Sequence, residues 1–331
     1  MISVEEASYI ILKNILKLQT ILIPTINSYK EVLQENILAD RDYPPFDRVA
    51  MDGIAIKFLT WEQGERKFII EGLQKVGQEP LIISKNNSCI EVLTGCVLPL
   101  GCDCIIKIED INIENNIAII KDNIIIKSKQ NIHFSSSDYQ KNNLLINKGT
   151  LLLTPEISVI ASVGKQKILI TKKPKIALIA TGDELINLDQ DLTPYQIRMS
   201  NIYAIYSFLK NANYPDVEIF HIIDDPKILN QKINNILSNF DILISSGGIS
   251  MGKFDYLPDI FKQVGVKELF HKVNQKPGKP MWFGVSTNKA VFGLPGNPVA
   301  SLICFYKYIL PFLDKSMSIN EKTSHVYLAQ D

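Results

Sequence analysis

Acidic residues, lysines and glycines recur in this chain where apolar runs stop. "KIALIATGDEL" ends an apolar run in Thr181, Gly182, Asp183 and Glu184, and "VEIFHIIDDP" ends one in Asp224 and Asp225. "DILISSGGISMGKFDY" passes from an apolar run into Ser246, Gly247, Gly248 and Ser250, with Asp255 a few residues on. "HKVNQKPGKP" carries Lys272, Lys276 and Lys279 around a Pro-Gly turn, and "GLPGNP" places Pro295, Gly296 and Pro298 at a helix start. Glycine lets bare backbone N–H groups approach a ligand, and N–H groups at helix N-termini bind phosphate-like anions. Lysines add point charge, and neighbouring carboxylates suit Mg²⁺, which is held by one or two carboxylates plus substrate phosphates.

Each motif also has a plain structural reading. Asp183 or Asp224 alone fits a turn or N-cap, "KPGK" a type II turn with solvated lysines, and "GLPGNP" a helix start. The stretch at 241–256 fits either a tight strand-to-helix turn or a pocket for an anionic group. Histidines 133, 221, 271 and 325 show no metal-ligand spacing.

The elements that must position these residues follow from hydrophobic period. From about Lys173 strand patterns alternate with helix patterns, including "NIYAIYSFLKNAN", with Asn201 as cap and Ile202, Ile205 and Leu209 inward, and a helix over 297–313. This predicts an α/β class fold: a three-layer core domain with a mostly parallel sheet at 172–315, whose ligands bind outside the carboxyl ends of the strands. Residues 51–130 are rich in short β runs and predict a smaller β domain, a compact barrel or sandwich. Residues 1–50 carry a helix with Ser3 and Glu6 as capping box and Ala7, Ile11, Ile15 and Leu18 on one face, then a second helical segment near 28–38. They are expected to pack with 131–171 as a helical linker part, and 316–331 form a tail.

The 331 residues favour more than one core, and the composition, 46% hydrophobic and 21% charged, is that of a globular protein. Lys+Arg and Asp+Glu total 35 each, which argues against nucleic-acid or membrane-surface binding, so any anion site must be local. Glu5 and Glu6 stand where an export signal carries basic residues, and no apolar run reaches bilayer length, so a cytoplasmic protein is expected. Cys89, Cys96, Cys102 and Cys104 lack zinc spacing; they read as small buried strand residues, with the thiols of the C-D-C pair on one face, and Cys304 as helix core.

"PPFDRVAMDGIAI", "TGDEL", "SSGGISMGKFDY", "KVNQKPGKPMWFG" and "GLPGNPVAS" occur in the order found in the molybdopterin molybdenumtransferase family (MoeA type, similar to the gephyrin E domain), which the chain resembles from about residue 1 to 315. The resemblance implies insertion of molybdate into adenylylated molybdopterin with Mg²⁺-dependent release of AMP. It also implies a homodimer with a cleft shared between subunits, and the molybdopterin adenylyltransferase as a partner. Matched motif by motif, Asp52, Thr94, Asp183, Glu184, Asp224, Asp255, Lys272, Lys276, Lys279, Pro295 and Pro298 correspond to the family's site positions. On that basis Asp52, Asp255, Lys276 and Lys279 are expected to be catalytic and Asp183, Glu184 and Asp224 to hold the metal. Thr94, Thr181, Gly182, Ser246, Gly247, Gly248, Ser250, Lys272, Pro295, Gly296 and Pro298 are expected to bind substrate.

The chain departs from the family pattern in places. The family continues into a further small β domain that helps line the cleft, whereas this sequence ends at Asp331. "NIHFSSSDYQ" replaces an arginine- and acid-containing stretch, Met199 stands where an aspartate is typical, and Val49 where a small polar residue is common. These departures predict altered substrate affinity more than an altered fold. The readings are therefore an enzyme of this type, weakened by the missing domain, a non-catalytic dimeric pterin-binding scaffold, or a molybdopterin adenylyltransferase. The last class lacks the region of "PPFDRVAMDG" and the β runs.

Overall fold

The computed structural model describes residues 1–249 and 255–320. The chain divides into two compact units, residues 1–36 with 146–331 and residues 37–145. This division is coarser than the four parts read from the sequence.

The larger unit is built on a six-stranded sheet. Its elements are β1 (Ile176–Thr181), α1 (Ser200–Asn211), β2 (Val217–Ile222), α2 (Pro226–Asn239), β3 (Ile242–Ser246), α3 (Leu257–Gln263), β4 (Lys267–His271), β5 (Trp282–Ser286), β6 (Lys289–Leu294) and α4 (Pro298–Cys304). The strand order is β2-β1-β3-β6-β5-β4. β2, β1, β3 and β6 run parallel, while β5 is antiparallel to both β6 and β4. Two reversals leave β4 pointing the same way as β6, so five strands end at one edge. The reversed strand β5, between β4 and β6, was not distinguishable in the apolar runs.

Both faces of this sheet are covered, which makes it the expected three-layer α/β core. Side chains alternate across β1: Ile176, Leu178 and Ala180 pack into one cluster with α1, while Ala177 and Ile179 pack into the other with α2 and α3. This period of two, buried on both sides, is why the strands read as continuous apolar runs. Ile202, Ile205 and Leu209 of α1 face inward as expected. The cap does not: α1 begins at Ser200 with Met199 at the N-cap, and Asn201 lies inside the helix.

The N-terminal helix, Val4–Lys13, has the expected capping box, with Glu6 N–H donating to Ser3 Oγ (3.1 Å) and Ser3 N–H to Glu6 Oε2 (2.8 Å). It ends earlier than the apolar pattern, so Ile15 and Leu18 pack from beyond it. Ala7 and Ile11 enter the α/β core, so this helix does not pack with 131–171. The strand Thr20–Pro24 does, pairing with Lys167–Thr171. The helix expected near 28–38 is absent among the described residues: Val32 and Leu33 instead bridge to Leu151 and Ile170, and Ile37–Leu38 is a short strand. Long-range pairing overrides the local helical pattern there.

The smaller unit holds one six-stranded sheet, with Cys104–Lys107, Gly53–Ile56, Ser88–Val92, Lys67–Gln74, Ile117–Ile120 and Ile111–Glu114 adjacent in that order. It buries a cluster on each face, in place of the expected barrel or sandwich. All five cysteines are free and buried. Cys102 precedes its strand and joins a different cluster from Cys104, so the two thiols do not share a face. No helix among the described residues is long and apolar enough to cross a membrane.

Candidate active site

The carboxyl edge of the larger sheet gathers the chemistry the sequence had scattered. β1 delivers Gly182, Asp183 and Glu184, β2 delivers Asp224, β3 delivers Gly247 and Gly248, and β6 delivers Pro295 and Gly296. β4 ends at the same edge, so its turn brings Lys272, Lys276 and Lys279 there. β1 and β3 are neighbours whose following helices leave for opposite faces of the sheet. Such a switch point opens a crevice between strand ends.

A recess of about 120 Å³ occupies that place, lined by Thr181, Glu184, Met199, Asn201, Ser246 and Gly296 among others. Glycine is required here. Gly247 and Gly248 have φ of +93° and +66°, and a Cβ on Gly248 would meet Thr181 Oγ1 at 2.6 Å. On Gly296 a Cβ would stand 3.9 Å from Gly247 Cα, so the two glycine turns face each other closely. Gly247 N–H also donates to Leu294 O across 3.1 Å.

The acids form one group. Asp224 N–H donates to Asp183 Oδ1 at 3.2 Å. Burial raises the carboxyl pKa of Asp224, and the charges of Asp183, Glu184 and Asp255 raise it further. The plain cap role falls to its neighbour: Asp225 Oδ1 accepts from Lys227 N–H and Ile228 N–H at 2.9 Å each. Asp225 thus starts α2 and leaves Asp224 beside the other acids. Asp255 is likewise not the cap of α3, a position held by Tyr256. Ser250 lies outside the described residues.

Lys276 and Lys279 are exposed and Lys272 is half-buried. Their turn is braced from beneath. Tyr308 Oη donates to Gln275 Oε1 (2.5 Å), and Gln275 Nε2 donates to Pro277 O (3.1 Å). Ile2 also brackets it, donating to Lys272 O (3.3 Å) and accepting from Asn274 N–H (2.8 Å). Asn297 caps α4 by accepting from Ala300 N–H at 3.1 Å, with Pro298 at the first helical position.

Asp52 and Thr94 lie in the smaller unit. Asp52 Oδ1 accepts from Thr94 N–H (2.6 Å) and Thr94 Oγ1 (2.7 Å), which lowers its pKa. The pair opens onto a recess shared with Lys107 and Glu109.

Several residues that hold the site carried no signal in the sequence. Asn201 Nδ2 donates to Ser246 Oγ (2.9 Å) and Gly296 O (2.8 Å). His271 bonds through Nε2 to Ile249 O at 2.8 Å, and a carbonyl only accepts, so that nitrogen carries the proton. Position at a strand end was the one available clue for His271. Gln275 lay within the lysine motif without being singled out, and Tyr308 had no clue.

Two family models match: "MoeA N-terminal region (domain I and II)" over residues 2–164 and "Probable molybdopterin binding domain" over residues 177–315. The chain is 39% identical over 285 residues to a molybdopterin molybdenumtransferase of Synechocystis sp., covering 86% of this chain and 73% of that protein. It is 32% identical over 324 residues to one of Staphylococcus epidermidis, covering 96% and 76%. Its fold is similar to that of a molybdopterin biosynthesis MoeA protein from Pyrococcus horikosii, with TM-score 0.78, 25% identity, and coverage of 96% of this chain and 80% of that one. The chain therefore belongs to the molybdopterin molybdenumtransferase family, enzymes of molybdenum cofactor biosynthesis.

Proposed function

We propose that this protein inserts molybdate into adenylylated molybdopterin with Mg²⁺-dependent release of AMP, working as a homodimer. The observation that carries this reading is the convergence, in a member of this family, of facing glycine turns, clustered carboxylates and a lysine turn on one sheet edge. The glycine turns and the recess suit the phosphorylated pterin, since backbone N–H groups and a close approach are what a phosphate needs. Lys272, Lys276 and Lys279 gather anions, both molybdate and the substrate phosphates. Asp52, whose charged form Thr94 favours, acts as a catalytic carboxylate of the smaller unit, and Asp255 as one of the larger unit.

Among the described residues no three acidic, histidine or cysteine side chains enclose an ion unaided. Mg²⁺ does not require that, because it is commonly held by one or two carboxylates plus substrate phosphates. The donor types fit: Asp183, Glu184 and Asp224 offer carboxylate oxygens, of which one or two would hold the ion, and a divalent cation would relieve the repulsion that Asp183 and Glu184 exert on Asp224. Bound there with substrate, Mg²⁺ would supply positive charge against the phosphoanhydride.

The test is AMP release from adenylylated molybdopterin by the purified chain, with and without molybdate and Mg²⁺. Release that needs both is expected. A chain that binds molybdopterin but releases no AMP is a scaffold, and one that forms the adenylylated compound is an adenylyltransferase; either result overturns the proposal.

A further inference from the structure

We infer that Asn201 is a positioning residue that sets the width of the molybdopterin recess, an assignment that rests on the function proposed above. Asn201 sits in the first turn of α1 and spends both hydrogens of its amide outside the helix. One goes to Ser246 Oγ at the end of β3 and the other to Gly296 O after β6, partners 45 and 95 residues away. These are the two loops whose glycines, Gly247 and Gly296, lie against each other in the lining of the recess. Because the Gly296 carbonyl can only accept, the amide must present its nitrogen to that side.

No other natural side chain of this size offers two N–H donors from one atom. Aspartate matches the shape and would set a carboxylate against the Gly296 carbonyl. Serine is too short to span both loops. The helix does not need Asn201 as its cap, since Met199 holds that position. The tie therefore serves the loops and not the helix. At Gly247, Gly248 and Gly296 the loops have no side chain of their own, and Asn297 is engaged in capping α4.

The experiment uses the full chain, with Asn201→Asp and Asn201→Ala beside the wild type and molybdopterin as the probe. Affinity, KM and kcat for AMP release, thermal midpoint, and hydrogen exchange at 245–248 and 293–297 are measured together. Losing two hydrogen bonds between the walls is expected to weaken molybdopterin binding roughly tenfold. KM should rise by more than kcat falls, the midpoint should move by no more than about 3 °C, and the Gly247 amide should exchange faster. Variants that bind molybdopterin as the wild type does overturn the assignment, as does a lowered midpoint with unchanged affinity and exchange. A wild type that itself binds no molybdopterin overturns instead the functional reading and with it the ligand, an outcome read before any variant is compared.

Discussion

The backbone N–H of Asp224 donates to Oδ1 of Asp183 across 3.2 Å, fastening the ends of two neighbouring parallel strands. The bond leaves the carboxylate of Asp224 half-buried next to three other acids, and burial followed by their charges raises its pKa. A fold gains nothing from such crowding in the free protein. In the function proposed above, Mg²⁺ would relieve it.

Asp224→Asn should therefore move stability and activity in opposite directions. A carboxyl whose folded pKa is raised binds more protons in the native state than unfolded, so native stability falls as pH rises from 3.8 through the raised value. Above that window the asparagine variant escapes the penalty. Its thermal midpoint at neutral pH should rise by about 1–2 °C, the gain shrinking in high salt, while AMP release falls. A variant less stable than the wild type with undiminished turnover would remove Asp224 from the site.

Asp255→Asn separates chemistry from capping at the other end of the cluster. Tyr256 occupies the cap of α3, so the amide should fold and melt like the wild type. Turnover should fall by roughly tenfold for each 1.4 kcal/mol of transition-state stabilisation lost. AMP release and melting curves on one preparation decide the matter, and equal turnover would count against a catalytic Asp255.

Gly248→Ala tests the closeness of the turn. At φ +66° a side chain is strained, and the new Cβ would press on Thr181 Oγ1 at 2.6 Å and on Leu257 at 3.1 Å. A loss of about 1–3 kcal/mol is expected by urea denaturation. Thr181→Ala in the same chain should restore part of it, because it removes the nearest atom. Additive losses in this double-mutant cycle would show that the contact does not carry the strain.

Lys173 and Glu31 form the most buried ion pair among the described residues, 2.7 Å apart with side chains 7% and 15% exposed. Asn213 Nδ2 adds a hydrogen bond to the same carboxylate oxygen at 3.0 Å. Burial pushes the Glu31 pKa up and the Lys173 pKa down, so neither charge is comfortable without the other. Lys173→Met should cost about 3 kcal/mol by leaving Glu31 unpaired, whereas Lys173→Met with Glu31→Leu should recover most of it. Chemical denaturation of the two variants checks this, and equal stabilities would refute a compensated pair.

The sequence by itself determined what acts over three or four residues. Ser3 and Glu6 close their capping box, Asn297 caps its helix, and Ile202, Ile205 and Leu209 turn inward because helical period alone places them there. It also determined that acids, glycines and lysines follow strands, and parallel alternation was enough to gather them at one edge. The tertiary structure decided the rest. Residues 28–38 have a helical pattern, yet Val32 and Leu33 pair with residues more than a hundred positions away. Asn201 looks like a cap until Ser246 and Gly296 are brought beside it. Local hydrogen bonds close short loops at little entropic cost, so their partners can be read from spacing. Partners 45 or 95 residues apart meet only after the sheet has fixed strand order and register, and neither is written in any short stretch of chain.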